Sequence, residues 1–158
     1  MKTKTIVSDI THDDIVNLLS TALYGSTYMS ADYDEERYKR LFKESDCYED
    51  KMARILLDGG SITITDSYAE SADELNGKKG KWNEDLDEAQ YVLTLNDFKE
   101  GLQMAMDGTF SDCSNATSAK SWARKVCCEM MKGDDADYDL PDADMIMQII
   151  CFGGLVYG

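Results

Sequence analysis

The 158-residue sequence has little of the chemistry on which most catalytic sites depend. It contains one histidine, His12, and zinc sites and nucleophile–histidine pairs need a histidine beside other ligands or beside a nucleophile. We therefore interpret His12 as a surface residue. The sequence also lacks the patterns GxxxxGK[ST], GxGxxG and GxSxG of phosphate-binding loops, dinucleotide sites and esterases. We expect a protein that is not an enzyme, with no catalytic residues, no metal and no cofactor.

Long apolar runs are also missing. The opening MKTKTIV lacks the apolar stretch of a secretory signal, and no run reaches the roughly 18 apolar residues of a membrane-spanning helix. We therefore expect a cytoplasmic protein.

Basic side chains are scarce relative to acidic ones. Sixteen Lys and Arg stand against 31 Asp and Glu, which gives a formal net charge of -15. Such a field repels nucleic acid and anionic membranes and speeds the encounter with basic proteins. The charge therefore favours a basic protein surface as the partner, with no direct binding to nucleic acid or membrane.

The five cysteines follow no metal or disulfide spacing. They are odd in number, and the adjacent Cys127 and Cys128 do not form a C-x-x-C pair. We interpret them as reduced and mostly buried thiols.

The last seventeen residues predict the element around which the chain folds. Between residues 143 and 152 only Asp144 and Gln148 are polar, so a helix here would be apolar nearly all round and enclosed by other elements. Pro141 and Asp142 mark its start, and two glycines mark its end.

The remaining pattern predicts one α+β domain over residues 1–158, with about five helices around the C-terminal central helix and a small antiparallel sheet. Helices are expected from Thr11 to Gly25, over 35–42, from an Asp46 and Glu49 capping box to Gly59, from an Asn96 cap to Gly108, and from Thr117 or Ser118 to Gly133. Strands are expected over 61–66 and 89–95, with a short edge strand over 3–9. Residues 26–34 and 109–116 are expected to be connections.

Residues 67–88 predict an acidic loop that is long for a compact domain. Trp82 lies within it, and either packs the loop onto the body of the protein or contacts a partner.

The carboxylates between Asp135 and Asp144 are the type of oxygen ligand that binds Ca²⁺. An EF-hand loop counted from Asp135 needs glycine at its sixth position and glutamate at its twelfth. This chain has Leu140 and Ile146 there. We interpret the run as a solvated acidic loop that leads into a helix N-terminus.

Carboxylates concentrate in three stretches, which we name the first (residues 32–50), second (66–88) and third (134–144) acidic clusters. Carboxylates held on a folded surface can occupy a groove built for backbone phosphates; the alternative is that they serve solubility alone. Tyr28 and Tyr33 are further candidate anchors. The predicted partner-binding residues are Asp32, Asp34, Glu35, Glu36, Glu70, Asp73, Glu74, Trp82, Glu84, Asp85, Asp135, Asp137 and Asp139.

Three stretches resemble a known group of proteins: ITHDDIVNLLSTALYG at 10–25, GGSITI at 59–64 and DMIMQIICFGGLVYG at 144–158. The group comprises small acidic uncharacterised proteins of bacteriophages, prophages and mobile elements of gut bacteria. The similarity covers about a third of the chain, which departs from the pattern at 67–88 by being longer. It brings no residue roles, but it implies a phage protein that inhibits host defence.

Charge and resemblance together predict a non-enzymatic phage or mobile-element protein in the host cytoplasm. It would act as an acidic nucleic-acid mimic of the anti-CRISPR or anti-restriction type, inhibiting a basic host nuclease or other nucleic-acid-binding defence protein. One alternative is a phage protein that sequesters a small nucleotide signal, for which Lys120, Arg124 and Lys125 are the candidate contacts. Another is a virion or assembly component.

Overall fold

A computed structural model describes residues 7–74, 80–112 and 117–157. The described residues form an α+β domain, as predicted, with six α-helices, a four-stranded antiparallel sheet and one pair of very short parallel strands. The helices are α1 (His12–Tyr24), α2 (Glu35–Tyr38), α3 (Tyr48–Leu57), α4 (Leu95–Asp107), α5 (Thr117–Met130) and α6 (Leu140–Phe152). The strands are β1 (Met29–Asp32), β2 (Ser61–Asp66), β3 (Gly80–Asn83), β4 (Glu88–Thr94), β5 (Ser111–Asp112) and β6 (Gly154–Leu155).

Helix α6 is the predicted central helix. Every residue from Met145 to Phe152 is buried, and α6 contacts α1, α4 and α5. It begins where the Asp139 side chain accepts a hydrogen bond from the Asp142 N–H at 3.3 Å, and it ends at Gly153, whose φ of 73° suits glycine.

The sheet has the strand order β1-β2-β4-β3, and every neighbouring pair is antiparallel. The predicted small antiparallel sheet is confirmed, and the two strands predicted at 61–66 and 89–95 correspond to β2 and β4, which pair with each other. In β2, Ile62 and Ile64 are buried and the threonines alternate with them, as a period of two requires. The buried face joins the helical core, and we name the opposite face, which carries Thr63 and Thr65, the outer face.

Several short elements differ from the expectations. β1 lies in the predicted connection at 26–34, and β5 lies in the one at 109–116. The predicted loop at 67–88 contains β3 and a 3₁₀ turn at Ala72–Glu74. Of the predicted strand at 3–9, residues 3–6 lie outside the described residues and 7–9 form a turn. Strands of two to four residues owe their conformation to pairing with distant partners, so the local sequence carries little signal for them.

Two helices start one or two residues away from the predicted caps. For α3 the capping carboxylate is Asp50, which accepts from the Cys47 N–H at 3.3 Å. The predicted cap Asp46 is instead engaged by the Arg54 Nε at 2.7 Å. For α4 the cap is Thr94 rather than Asn96, because Asp97 accepts from the Thr94 N–H at 2.8 Å in a capping box.

The thiols divide evenly between core and surface. Cys127 and Cys151 are buried, Cys47 and Cys128 are exposed, and Cys113 lies outside the described residues. The expectation of mostly buried thiols therefore holds for half of those described. Burial raises the pKa of Cys127 to about 12, so this thiol stays protonated in the core.

Candidate functional site

Three tyrosines from distant parts of the chain meet beside the N-terminal half of α6. Tyr28 precedes β1 and Tyr68 follows β2, while Tyr157 lies after β6 in the segment 156–157, which we name the C-terminal tail. Tyr28 and Tyr68 stack with ring centroids 4.8 Å apart, and Tyr157 meets them edge-on at 5.0 and 5.4 Å. Aromatic pairs in these geometries stabilise by about 0.5–1.5 kcal/mol beyond their buried area. This tyrosine cluster therefore fastens the tail to the first two strands of the sheet.

Two of the phenols donate hydrogen bonds to carboxylates. The Tyr28 hydroxyl donates to Asp144 Oδ1 at 2.5 Å, and the Tyr157 hydroxyl donates to Asp66 Oδ2 at 2.7 Å. Burial, together with the bond to Asp144, raises the pKa of Tyr28 far above its ordinary value. Burial and the bond to Asp66 raise the pKa of Tyr157 in the same way. Both phenols therefore remain protonated donors at neutral pH.

Asp66 is a fully buried carboxylate behind the tyrosine cluster. It follows Ile62 and Ile64 in the inward alternation of β2, where an apolar residue would suit the core. It accepts from the Tyr68 N–H at 2.9 Å as well as from Tyr157, and these bonds offset part of the cost of its burial. A buried carboxylate with dedicated donors next to a cavity marks this region as a candidate site.

Gln148, only 2 % exposed, holds the C-terminal tail against α6. Its Oε1 accepts from the backbone N–H groups of Val156 and Tyr157, both at 2.9 Å. Its Nε2 donates to Asp144 Oδ2 at 2.8 Å and to the Tyr157 carbonyl at 3.1 Å. The side-chain amide thus joins the tail and the carboxylate of the tyrosine cluster in one network.

A cavity of about 500 Å³ opens beside this network. The ends of α1, α5 and α6 supply much of its wall, and Tyr28, Tyr68 and Tyr157 supply another part. Carboxylates of Asp112 and Asp144 also line it. The described lining residues are mostly apolar or aromatic and include no lysine or arginine. We name this space the tyrosine cavity.

A second concave region, of about 580 Å³, runs along the outer face of the sheet. It brings Asp32 and Asp34 of the first acidic cluster together with Glu88 of the second. Hydroxyl side chains of β1 and β2 form its floor, and Arg37 adds one positive charge at its side. We name this region the outer groove.

All twelve carboxylates among the predicted partner-binding residues are exposed. Glu84 and Asp85 lie at the tip of the β3–β4 hairpin, while Glu70, Asp73 and Glu74 lie in the segment after β2. Asp135, Asp137 and Asp139 lie between α5 and α6 and are not among the described lining residues of the outer groove. The fold thus brings parts of the first two clusters together at the outer groove, to which the third cluster contributes no described lining residue.

The predicted aromatic anchors are packed within the protein. Trp82 lies in β3, opposite the buried Ala89, and packs partly buried against the core. Tyr28 is 8 % exposed within the tyrosine cluster, and the Tyr33 ring packs 5.1 Å from that of Tyr48. The position of Trp82 favours the first of its two interpretations, in which it packs the loop onto the body of the protein.

The candidate nucleotide contacts are not among the described lining residues of the tyrosine cavity. Lys120, Arg124 and Lys125 are exposed on α5, and the Arg124 Nε donates to the Met106 carbonyl at 3.0 Å. Helix α5 instead contributes Ser118, Ala119 and Trp122 to the cavity wall.

The described part of the chain contains neither a cluster of metal ligands nor a membrane-spanning helix. Within residues 7–74, 80–112 and 117–157, no three His, Cys, Asp or Glu side chains are placed to hold a metal ion. The helices of this part are all too short or too polar to cross a membrane.

One sequence pattern that the predictions did not use indicates polar contacts at the tyrosine cavity. Asp144 and Gln148 are the only polar residues between 143 and 152, and their spacing of four places them on one face of a helix. Two polar groups on a buried helix must find partners. No local pattern indicated that Tyr28, Tyr157 and Asp66 would be near them.

Comparison with protein-family models, with curated protein sequences and with solved structures finds no match for this chain.

Proposed function

We propose that this protein is a non-enzymatic inhibitor from a bacteriophage or mobile element. It binds the basic surface of a host nucleic-acid-handling defence protein and excludes nucleic acid from that surface. The exposure of all twelve predicted carboxylates on a chain of net charge -15 carries the proposal. The resemblance of both chain ends to small phage proteins supports the biological setting.

Two carboxylates at the outer groove, those of Asp32 and Asp34, accept hydrogen bonds from the backbone. Asp32 Oδ1 accepts from the Tyr33 N–H at 2.8 Å, and Asp34 Oδ1 caps α2 by accepting from the Arg37 N–H at 3.1 Å. Charges held in place lose less conformational entropy on binding than charges on free loops. They also steer a basic partner towards one face, an effect that salt weakens.

One alternative function has less support, and the other predicts a different experimental result. The tyrosine cavity carries carboxylates and, among its described lining residues, no cation that could pair with a phosphate. Its chemistry therefore disfavours a nucleotide ligand. A virion or assembly component would bind another phage protein and would leave nucleic-acid binding by host proteins unchanged.

Infection and competition assays test the proposal together. The protein is expressed in bacterial hosts that each carry one defined restriction or CRISPR system, and plating of a phage sensitive to that system is scored. With the responsive nuclease purified, the protein should displace labelled DNA from it, and displacement should weaken as salt rises from 50 to about 300 mM. Failure to protect phage in any host, or displacement that does not depend on salt, contradicts the proposal.

Charge variants locate the contact. Asp32→Asn with Asp34→Asn should weaken displacement about tenfold, corresponding to about 1.4 kcal/mol, while asparagine preserves the helix cap. The matched pair Asp135→Asn with Asp137→Asn removes the same charge from the third acidic cluster and should weaken displacement less. Equal losses for the two pairs would show that net charge matters and the outer groove does not.

A further inference from the structure

The tyrosine cavity has the size of a small-ligand site. Its volume of about 500 Å³ lies within the range of roughly 300–1,000 Å³ found for ligand pockets. A mostly apolar wall with a few polar groups at defined positions is also typical of such pockets. The described lining residues thus combine the two features of a binding pocket.

The charge of the cavity selects the sign of the ligand. Asp112 and Asp144 line it, and the Asp66 carboxylate lies directly behind the Tyr157 hydroxyl at 2.7 Å. Asp144 accepts hydrogen bonds from the Tyr28 hydroxyl and the Gln148 amide, which are both neutral donors, and the described lining residues include no lysine or arginine. An anion would be repelled, and a cation would be attracted.

The aromatic rings select the kind of cation. Tyr68 is 48 % exposed and Trp122 is 40 % exposed, and both line the cavity. The Trp122 Nε1 donates to Asp142 Oδ1 at 2.6 Å, and Tyr68 stacks on Tyr28. Both rings are therefore fixed yet partly open to solvent. Tryptophan and tyrosine faces attract organic cations, whose charge is spread over a weakly hydrated group.

We propose that the tyrosine cavity binds an organic cation, an alkylated ammonium or guanidinium group. Tyr68 and Trp122 contact its apolar surface, and Asp144 supplies the opposite charge. This site is independent of the inhibitory role proposed above, because the outer groove contributes nothing to it. Loss of either activity leaves the other measurable.

A titration monitored by NMR tests the site directly. The indole N–H groups of ¹⁵N-labelled protein report on Trp122 at the cavity and on Trp82 elsewhere, and the Trp82→Phe variant assigns them. Choline chloride is the first probe, and 3,3-dimethylbutan-1-ol is its neutral control of the same shape. We expect choline to shift the Trp122 signal saturably and to bind about tenfold more tightly than the alcohol, a difference of about 1.4 kcal/mol. The Trp82 signal should stay in place.

Matched variants separate a binding site from a general effect of charge. Tyr68→Leu removes an exposed ring and should weaken choline binding severalfold, whereas Tyr24→Leu, at a tyrosine that is 96 % exposed, should have no effect. Asp144→Asn should weaken binding about tenfold, and Asp85→Asn at the hairpin tip should not. If Asp144→Asn fails to fold, the choline affinity of Tyr68→Leu alone decides whether the tyrosine cavity is the binding site.

The source of the cation is distinguished by a second probe. Arginine acetylated at its amino end and amidated at its carboxyl end presents the guanidinium as a protein would. Tighter binding of choline indicates a free small molecule, and tighter binding of the arginine derivative indicates a side chain of a partner protein. Absence of saturable shifts with both probes, equal affinity for the neutral alcohol, or unchanged binding in Tyr68→Leu would each overturn the proposal.

Discussion

Replacing Gln148 by leucine should release the C-terminal tail from α6. The substitution keeps the approximate volume of a buried side chain but removes the four hydrogen bonds of its amide. Two of these bonds hold the backbone N–H groups of Val156 and Tyr157. The tail would then depend on the packing of Tyr157 and on its bond to Asp66.

The expected loss of stability can be bounded from these bonds. Four hydrogen bonds at about 0.5–1.5 kcal/mol each set a range of roughly 2–6 kcal/mol. The upper part of this range is not reached, because the backbone groups of a detached tail are hydrated by solvent and because leucine adds buried apolar area. We therefore expect Gln148→Leu to lower the free energy of unfolding by about 2–4 kcal/mol, within the range of broken buried networks.

Urea unfolding followed by circular dichroism measures this change. With a slope of about 2 kcal/mol per molar urea, the midpoint should fall by about 1–2 M. The matched control is Gln103→Leu, since Gln103 is an exposed glutamine whose Nε2 donates to Asp107 at 2.9 Å, and surface changes of this kind stay within about 0.5 kcal/mol.

A truncation after Leu155 provides the decisive test. If Gln148 acts through the tail, the loss in the double variant should be much smaller than the sum of the two single losses, because the two changes remove the same contacts. A Gln148→Leu loss below about 0.5 kcal/mol, within the scatter of surface changes, would refute this account. So would full protection of the Tyr157 amide from hydrogen exchange in that variant.

Two further predictions concern packing and pH. A Cβ on Gly101 would lie 2.6 Å from the Ile150 Cα, so Gly101→Ala should lower the free energy of unfolding by about 1–3 kcal/mol, although alanine favours the helical conformation. The control is Glu100→Ala, at the exposed neighbouring position. A Gly101→Ala variant that is more stable than the original protein would contradict the close approach of the two helices. The Arg54 guanidinium lowers the pKa of Asp46 below its ordinary 3.8, so the contribution of Asp46 is present above that pH and lost as pH falls through the folded-state pKa. Arg54→Leu should move the Asp46 carboxyl titration, followed by NMR, back towards 3.8, and an unchanged titration would show that Arg54 is not the cause.

The sequence by itself determined the elements whose residues repeat with a clear period. The nearly apolar stretch at 143–152 predicted α6, the apolar residues three and four apart between Ile15 and Leu23 predicted α1, and the alternation at 61–66 predicted β2. These patterns are readable because burial of one face of a helix or strand sets the spacing of its apolar residues. The negative charge was equally plain, since it depends on composition alone.

Only the tertiary structure decided which residues form a site. Tyr28, Tyr68 and Tyr157 belong to no common period, and Asp66 continues an inward alternation at a position where an apolar residue would suit the core. Their meeting depends on the pairing of β1 with β2 and on the path of the tail after Gly153, where a left-handed turn ends α6. Contacts between residues so far apart arise from the packing of whole elements, and local propensity carries no record of them. The same holds for the outer groove, which Asp32 and Glu88 both line because β1, β2 and β4 are neighbours in the sheet.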